Sequence, residues 1–524
     1  MTAHINAQVQ GNGEQDYSAW RNFAAMISLP DDRTATSAVS WYLILTPLLW
    51  SLGLLVPTGC LIVMWLLIWR WPEDPGINLV VAAWLLTAAA QAAAVIWNWS
   101  VAGEPFSALP RRLMAFSIIG WLFLGIMLAV GYSYRLANAR LVRGIMLIGL
   151  YIGLFTVLGF LLAFVLGIKE LRIPTPLAFV LGSSPATDYY ATMRIYLLEE
   201  SFGLEMPRMI LFYPWPTALG LAGIGIVMAA FCENSRHWRA IGMLGGICAI
   251  VFSFSRAAMV ALVVSLLVYG WLRAALVWKF LFLVVVSLAA LGLVVLDVNP
   301  VVWLKEFFTS FSEARAGSSL ARDLIYVYSW EGFLASPVFG QGWIGESVHP
   351  IEDLPIGSHS SLYGTLYTGG ATTLTCLAAA GAVTMALLMT RAWRGTPFAA
   401  AGLSMAAALL MFAYGESLFS LVLPCTFMFL FMGGAMRPQP LQGKIRLSAI
   451  GSGAPSWKGA WKGRPSSQDE KNGPGEGRGC QESTRSTAKP DTMPHPNRRS
   501  AGRRPFYHPG HRSAGSGFEG DRKP

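Results

Sequence analysis

The sequence predicts an all-α polytopic membrane protein, with about twelve transmembrane helices and one large outward-facing loop between the ninth and tenth. Composition is the first reason: 54% of the 524 residues are hydrophobic and only 13% are charged, a balance that suits a chain whose solvent is lipid. Block length is the second, because the apolar residues gather in runs of about 20, enough for a helix to cross a bilayer core. The third is the placing of charge, since arginines cluster in the short loops between those runs.

Taken in order, residues 1–37 hold no basic stretch followed by an apolar run and a cleavage site, and they read as a retained, mostly disordered cytoplasmic lead-in. The first apolar block runs from Ala38 to Trp69 and is interrupted at Val56-Pro57-Thr58-Gly59, which predicts two spans joined there by a tight turn. Further spans are expected at about 77–97, 114–134 and 143–168, then, after a polar interval from Lys169 to Arg208, at 209–231, 240–254, 257–272 and 275–296. A long interval from Asp297 to about Thr365 separates these from the last three, near 366–390, 397–415 and 417–436. The membrane domain is thus 38–436. The six cysteines form no CxxC pair or disulfide framework and are expected to be free thiols.

Orientation follows from the short loops. Arg135, Arg140 and Arg143 lie in one, Arg236 and Arg239 in a second, Arg273 and Lys279 in a third, and Arg391 and Arg394 in a fourth. These alternate so as to share one side, which the positive-inside rule makes cytoplasmic. The intervals 169–208 and 297–365, and the turn Ser253-Phe254-Ser255-Arg256, then face outward. Arg111 and Arg112 fall on the outer side as the exception. From Arg437 onward the chain holds 17 Lys and Arg against 7 Asp and Glu, so residues 437–524 carry the whole net charge of +10. Those basic residues are spread through Gly, Pro and Ser with few aromatics. The pattern predicts a disordered cytoplasmic tail drawn to anionic membrane lipids, with no nucleic-acid partner.

Ion-coupled carriers and pumps need ionisable groups within the bilayer. The predicted spans have essentially no Asp, Glu or His in their cores, with Arg256 and Glu416 at span ends. Chemistry is therefore expected in the outward loops, where three stretches stand out. They are SFSRAA, with Arg256; ARAGSSLARDLIYVYS, with Arg315 and Arg322; and PVFGQGWIGESVHPIEDLPIGSHSSLYGTLYTGG, with His359. Arginine presents a planar fork that matches phosphate oxygens and does not lose its charge, and histidine takes a proton near neutral pH. Together they suit group transfer from a membrane-bound phosphate ester. No DxD pair or metal-ligand spacing occurs in these loops, so no metal and no cofactor is expected. Bland alternatives stand beside each residue: Arg256 snorkelling to headgroups, Arg322 pairing with Asp323 or Glu331, His359 bonded to backbone. His349 reads as a loop residue.

SFSRAAMVALVVSLL, SSLARDLIYVYSWEGFLASPVFGQG and GSHSSLYGTLYTGGATTL, in that order, resemble the O-antigen ligase/O-antigen polymerase family over roughly residues 209–434. Pro337, Gly340 and Gly342 match its Pro-x-x-Gly-x-Gly segment. His359 matches its His-Asn-x-x-Leu segment, with Ser360 where Asn is common, a departure that tips the reading slightly toward polymerase. The resemblance implies a metal-independent inner-membrane glycosyltransferase whose active site and large loop are periplasmic. Its partners would be an undecaprenyl-diphosphate-linked glycan and an acceptor glycan or lipid A–core. By the same resemblance His359 is the general base or the residue that positions the acceptor, Arg256 and Arg322 bind the diphosphate, and Arg315 and Arg208 are further candidates for that task. Two other classes stay open: a flippase or exporter of lipid-linked saccharide, and a membrane scaffold acting through its tail.

Overall fold

The computed structural model describes residues 32–438, apart from 73, 135–138, 183–184, 202–203, 297–298, 300–301, 303–315 and 348–353. The chain enters through α1 (Asp32–Ile44), α2 (Thr46–Ser51) and α3 (Leu55–Trp69). It continues as α4 (Pro75–Ala102), α5 (Ala108–Ser133), whose middle winds as a π-helix over Met114–Leu122, and α6 (Ala139–Phe160). The polar interval that follows forms β1 (Glu170–Pro174), the short helices α7 (Pro176–Leu181) and α8 (Pro185–Tyr190), β2 (Thr192–Ser201) and β3 (Leu204–Met209). Four helices come next: α9 (Pro216–Ala230), α10 (Arg236–Phe252), α11 (Arg256–Arg273) and α12 (Leu276–Val295). The long interval holds α13 (Ala316–Ala335), and the chain closes with α14 (Ser361–Trp393), α15 (Pro397–Gly415), α16 (Leu418–Leu421) and α17 (Thr426–Ala435).

Seven helices among the described residues are long and apolar enough to cross a membrane: 75–102, 108–133, 140–165, 256–273, 276–293, 361–393 and 397–415. α3, α9 and α17 are apolar but shorter. The reason is visible in α9, where every residue is buried: it is sheathed by protein, and its hydrophobicity serves packing rather than lipid. α12 is the opposite case, for none of its apolar window is buried inside the protein. Close packing at the centre relies on small residues. A side chain at Gly223 of α9 would stand 2.6 Å from the Gly246 carbonyl of α10.

The basic loops are joined pairwise at one end of the bundle. Arg143 makes a two-pronged pair with the buried Glu233 (3.0 and 2.9 Å), Arg239 donates to the Glu233 carbonyl, Arg273 donates to the Gly395 carbonyl, and Arg391 pairs with Asp74. Arg112 is accounted for at the other end. It pairs with Glu104 and lies over the Trp343 ring, 3.3 Å from its centroid, so its charge is met by a carboxylate and an aromatic face.

Three expectations need correction. The fold is mostly helical but not all-α: β1, β2 and β3 form an antiparallel sheet in that order, with Ile173 opposite Met193 and Leu197 opposite Arg208. Tyr196 and Met209, paired across β2 and β3, are fully buried and give the sheet its packed side. The first apolar block breaks at Leu52–Leu54, where Gly53 takes φ +75°, and not at Val56–Gly59. Pro57 lies in the first turn of α3, where a missing N–H costs no helical bond. Asp32, the first described residue, is already helical, six residues ahead of the expected Ala38.

The feature that shapes the site is a break in α14. Gly370 adopts φ +66°, ψ −168° inside the helix, which strands carbonyls above it and N–H groups below it. The Pro337–Gly342 loop splints the break. Gln341 and Gly342 donate to the Tyr367 and Thr368 carbonyls (2.6 and 2.9 Å), while Ala371 and Thr372 donate to the Pro337 and Val338 carbonyls (2.8 and 3.4 Å). From α4, Gln91 reaches the Gly342 and Thr368 carbonyls and Asn98 the Gly340 carbonyl. A Cβ at Gly370 would stand 2.5 Å from the Val338 carbonyl carbon and 2.7 Å from the Gly340 nitrogen. Gly370→Ala is therefore expected to cost roughly 3 kcal/mol, read as a lower thermal midpoint of the detergent-purified protein; an unchanged midpoint would mean the splint is dispensable.

Candidate active site

At the end of the bundle away from the joined basic loops, four separate segments converge on one buried carboxylate. Glu416 follows α15 and is only 5% exposed. It is the sole acidic residue between Pro397 and Met436. Arg322 of α13 donates to its Oε1 at 3.1 Å. Burial pushes the Glu416 carboxyl above its ordinary range, and the charges of Arg322 and Arg208 oppose that rise. Arg208 of β3 in turn pairs with Glu199 at 2.6 Å and donates from Nε to the Ser253 carbonyl at 2.7 Å. It thereby ties the sheet to the Ser253–Arg256 turn. That turn is built by Ser255, which caps α11 by accepting from the Ala258 N–H, and by Phe254 at φ +47°.

His359 lies in the same cluster. Its backbone takes φ +60°, a left-handed conformation that a residue with a Cβ rarely adopts and that must be held in place. The hold comes from Tyr326 of α13, whose hydroxyl is 3.4 Å from the His359 carbonyl and 3.3 Å from that of Tyr414. Tyr326 also stacks on Tyr363, with centroids 4.7 Å apart. Ser358 Oγ is 2.7 Å from His359 Nδ1. The ring is half-buried, and burial, with the Arg322 charge second, holds its pKa down to about 4. The imidazole is neutral at neutral pH, with a lone pair to offer.

Ser360 explains the departure from His-Asn. It is the N-cap of α14, and its Oγ accepts from the Tyr363 N–H at 3.2 Å. Asn and Ser serve a cap about equally well, so either residue can start the helix here. Ser361 then locks the helix start to its neighbour, donating to the Glu416 carbonyl (2.8 Å) and accepting from the Leu418 N–H (2.7 Å).

Of the sequence candidates, the structure brings Arg208, Arg322 and His359 together. Arg256 opens α11 three residues beyond Ser253 and is half-buried. Arg315 and His349 lie outside the described residues, as does the tail 439–524. Sequence reasoning saw Glu416 only as a span end. Its signal was a lone carboxylate in an apolar run, which signals function or a buried partner.

Residues 241–370 match the family model of O-antigen ligase, a narrower stretch than the expected 209–434. No curated protein matches the chain. The matched stretch spans the Ser253–Arg256 turn, Arg322, the α14 splint and His359, and supports O-antigen ligase or related polymerase activity in polysaccharide assembly. On that match residues 241–370, about a quarter of the chain, are similar to the O-antigen ligase family.

Proposed function

We propose that the protein is a glycosyltransferase of the bacterial inner membrane, which joins a glycan carried on undecaprenyl diphosphate to an acceptor hydroxyl at its periplasmic face. The observation that carries this reading is the meeting of Arg322, Arg208 and His359, from three separate segments, around one buried carboxylate. In the reaction the acceptor oxygen attacks the anomeric carbon of the donor sugar, and the bond from that carbon to the diphosphate oxygen breaks. His359 takes the proton from the acceptor hydroxyl. Arg322, with Arg256 and Arg208, meets the charge of the departing diphosphate. Arg315 is a further candidate for that task. Fixed guanidinium donors aimed at developing negative charge are the kind of group that stabilises such a transition state. Glu416 holds Arg322 in place and, buried, keeps the cluster from accumulating uncompensated positive charge.

The test uses the purified full chain in lipid vesicles, given a short glycan on polyprenyl diphosphate as donor. A second lipid-linked glycan serves as acceptor in one sample and lipid A–core in another. Joined glycan together with free polyprenyl diphosphate is the expected result, and the acceptor that is consumed distinguishes polymerase from ligase. Movement of intact lipid-linked glycan across the bilayer, without release of the diphosphate, would overturn the reading in favour of a flippase.

A further inference from the structure

The hydrogen-bond partners of Ser358 decide which nitrogen of His359 carries the proton. Ser358 Oγ has two contacts, the Pro355 carbonyl at 2.6 Å and His359 Nδ1 at 2.7 Å. A carbonyl oxygen only accepts, and a serine hydroxyl has one hydrogen to give. That hydrogen is spent on Pro355. The short contact to His359 is then a hydrogen bond only if Nδ1–H donates and the serine oxygen accepts. A neutral imidazole with its hydrogen on Nδ1 has its lone pair on Nε2.

We propose that Ser358 is a positioning residue that fixes His359 as the Nδ1–H tautomer and leaves Nε2 as the ring's proton acceptor. The surroundings hold the arrangement from both sides. Pro355 also accepts from the Ser358 N–H at 3.2 Å, closing a turn, and the Gly357 N–H donates to Ser329 Oγ of α13 at 3.0 Å. The serine is thus seated in a turn anchored to the helix that carries Arg322 and Tyr326. The wrong tautomer would present an N–H where a base is needed, which in enzymes with an oriented histidine costs orders of magnitude in rate.

The catalytic consequence rests on the reading of His359 as general base, so the test has two arms. In the first, 15N-histidine-labelled full chain in lipid nanodiscs is measured at neutral pH, the His359 signals being assigned by their loss in His359→Gln. A protonated Nδ1 with bare Nε2 is expected in the wild type, and a mixture of both tautomers in Ser358→Ala. A protonated Nε2 in the wild type would overturn the proposal whatever the protein does. In the second, glycan transfer is expected to fall about tenfold or more in Ser358→Ala and to be rescued by Ser358→Thr, which keeps the hydroxyl. Wild-type transfer in folded Ser358→Ala would sink the positioning role. Wild-type transfer in His359→Gln would sink the base reading instead, with the spectrum still standing on its own.

Discussion

His359→Ala is expected to slow glycan transfer by about 10²- to 10⁴-fold, the usual worth of a positioned general base. In cells lacking the native gene and expressing the variant at wild-type level, lipid-linked glycan should accumulate while surface glycan falls. Accumulation of single repeat units would mark a polymerase, and accumulation of long lipid-linked chains a ligase. Normal surface glycan with no accumulated intermediate would remove His359 from the chemistry. The pH dependence gives an independent check. Because burial and Arg322 hold the imidazole down to about 4, the acid limb of the rate should lie near pH 4 and not near the ordinary value of about 6.5. The sign for stability follows from the same shift. Between those two values the unfolded chain binds more protons than the folded one, so stability contributed by this residue rises with pH across that window and is lost on acidification. Arg322→Ala removes the second cause of the shift and should raise the His359 pKa toward its ordinary value, read by NMR titration of the labelled ring.

Arg322→Ala is expected to destabilise the fold as well as abolish transfer. Its guanidinium is about a third exposed, but its partner Glu416 is enclosed, and removing the arginine leaves that carboxylate without its direct partner. The expected cost is about 3 kcal/mol, seen as a lower thermal midpoint in detergent. The double variant Arg322→Ala, Glu416→Gln removes the stranded charge and should recover much of the stability without recovering activity. That split separates a structural ion pair from a substrate-binding arginine: recovery of both would show that Arg322 does no more than neutralise Glu416. A single variant as stable as the wild type would mean that Glu416 is already protonated in the fold.

The sequence made visible what depends on composition and local pattern, and missed what depends on distant partners. Apolar runs located the long helices, since a bilayer demands them wherever they are packed. They do not tell the short, enclosed α9 and α17 from lipid-facing helices, because a helix sheathed by protein is as apolar as one sheathed by lipid. Alternating arginine loops grouped correctly, as Arg143–Glu233 and Arg273–Gly395 show, since neighbouring loops on one side can bond. The sheet escaped because its strands carry Arg and Glu and become strands only by pairing, as with Leu197 and Arg208. At the site, Arg322 and His359 were legible because their chemistry is distinctive. Glu416 and Ser358 were not, for a lone Glu after a span and a Ser among serines mean little until the fold supplies Arg322 and Nδ1 beside them.

The splinted break in α14 sets where the chain can lengthen. Four backbone bonds hold residues 337–342 in register with 367–372, so one residue added between Pro337 and Gly342 would slide every donor past its acceptor. The stretch between Gly345 and Ile356 obeys a different rule. Its two ends are clamped to each other, Gly345 donating to the Ile356 carbonyl and Ile356 to that of Glu346, so a flexible insert between them adds only a modest loop-closure entropy. A reporter peptide or small tag placed there should leave the fold intact, and the same tag five residues before Gly345 should not. One loop thus combines a segment of fixed length, wedged into a helix, with a clamped pair of ends between which added length should be tolerated.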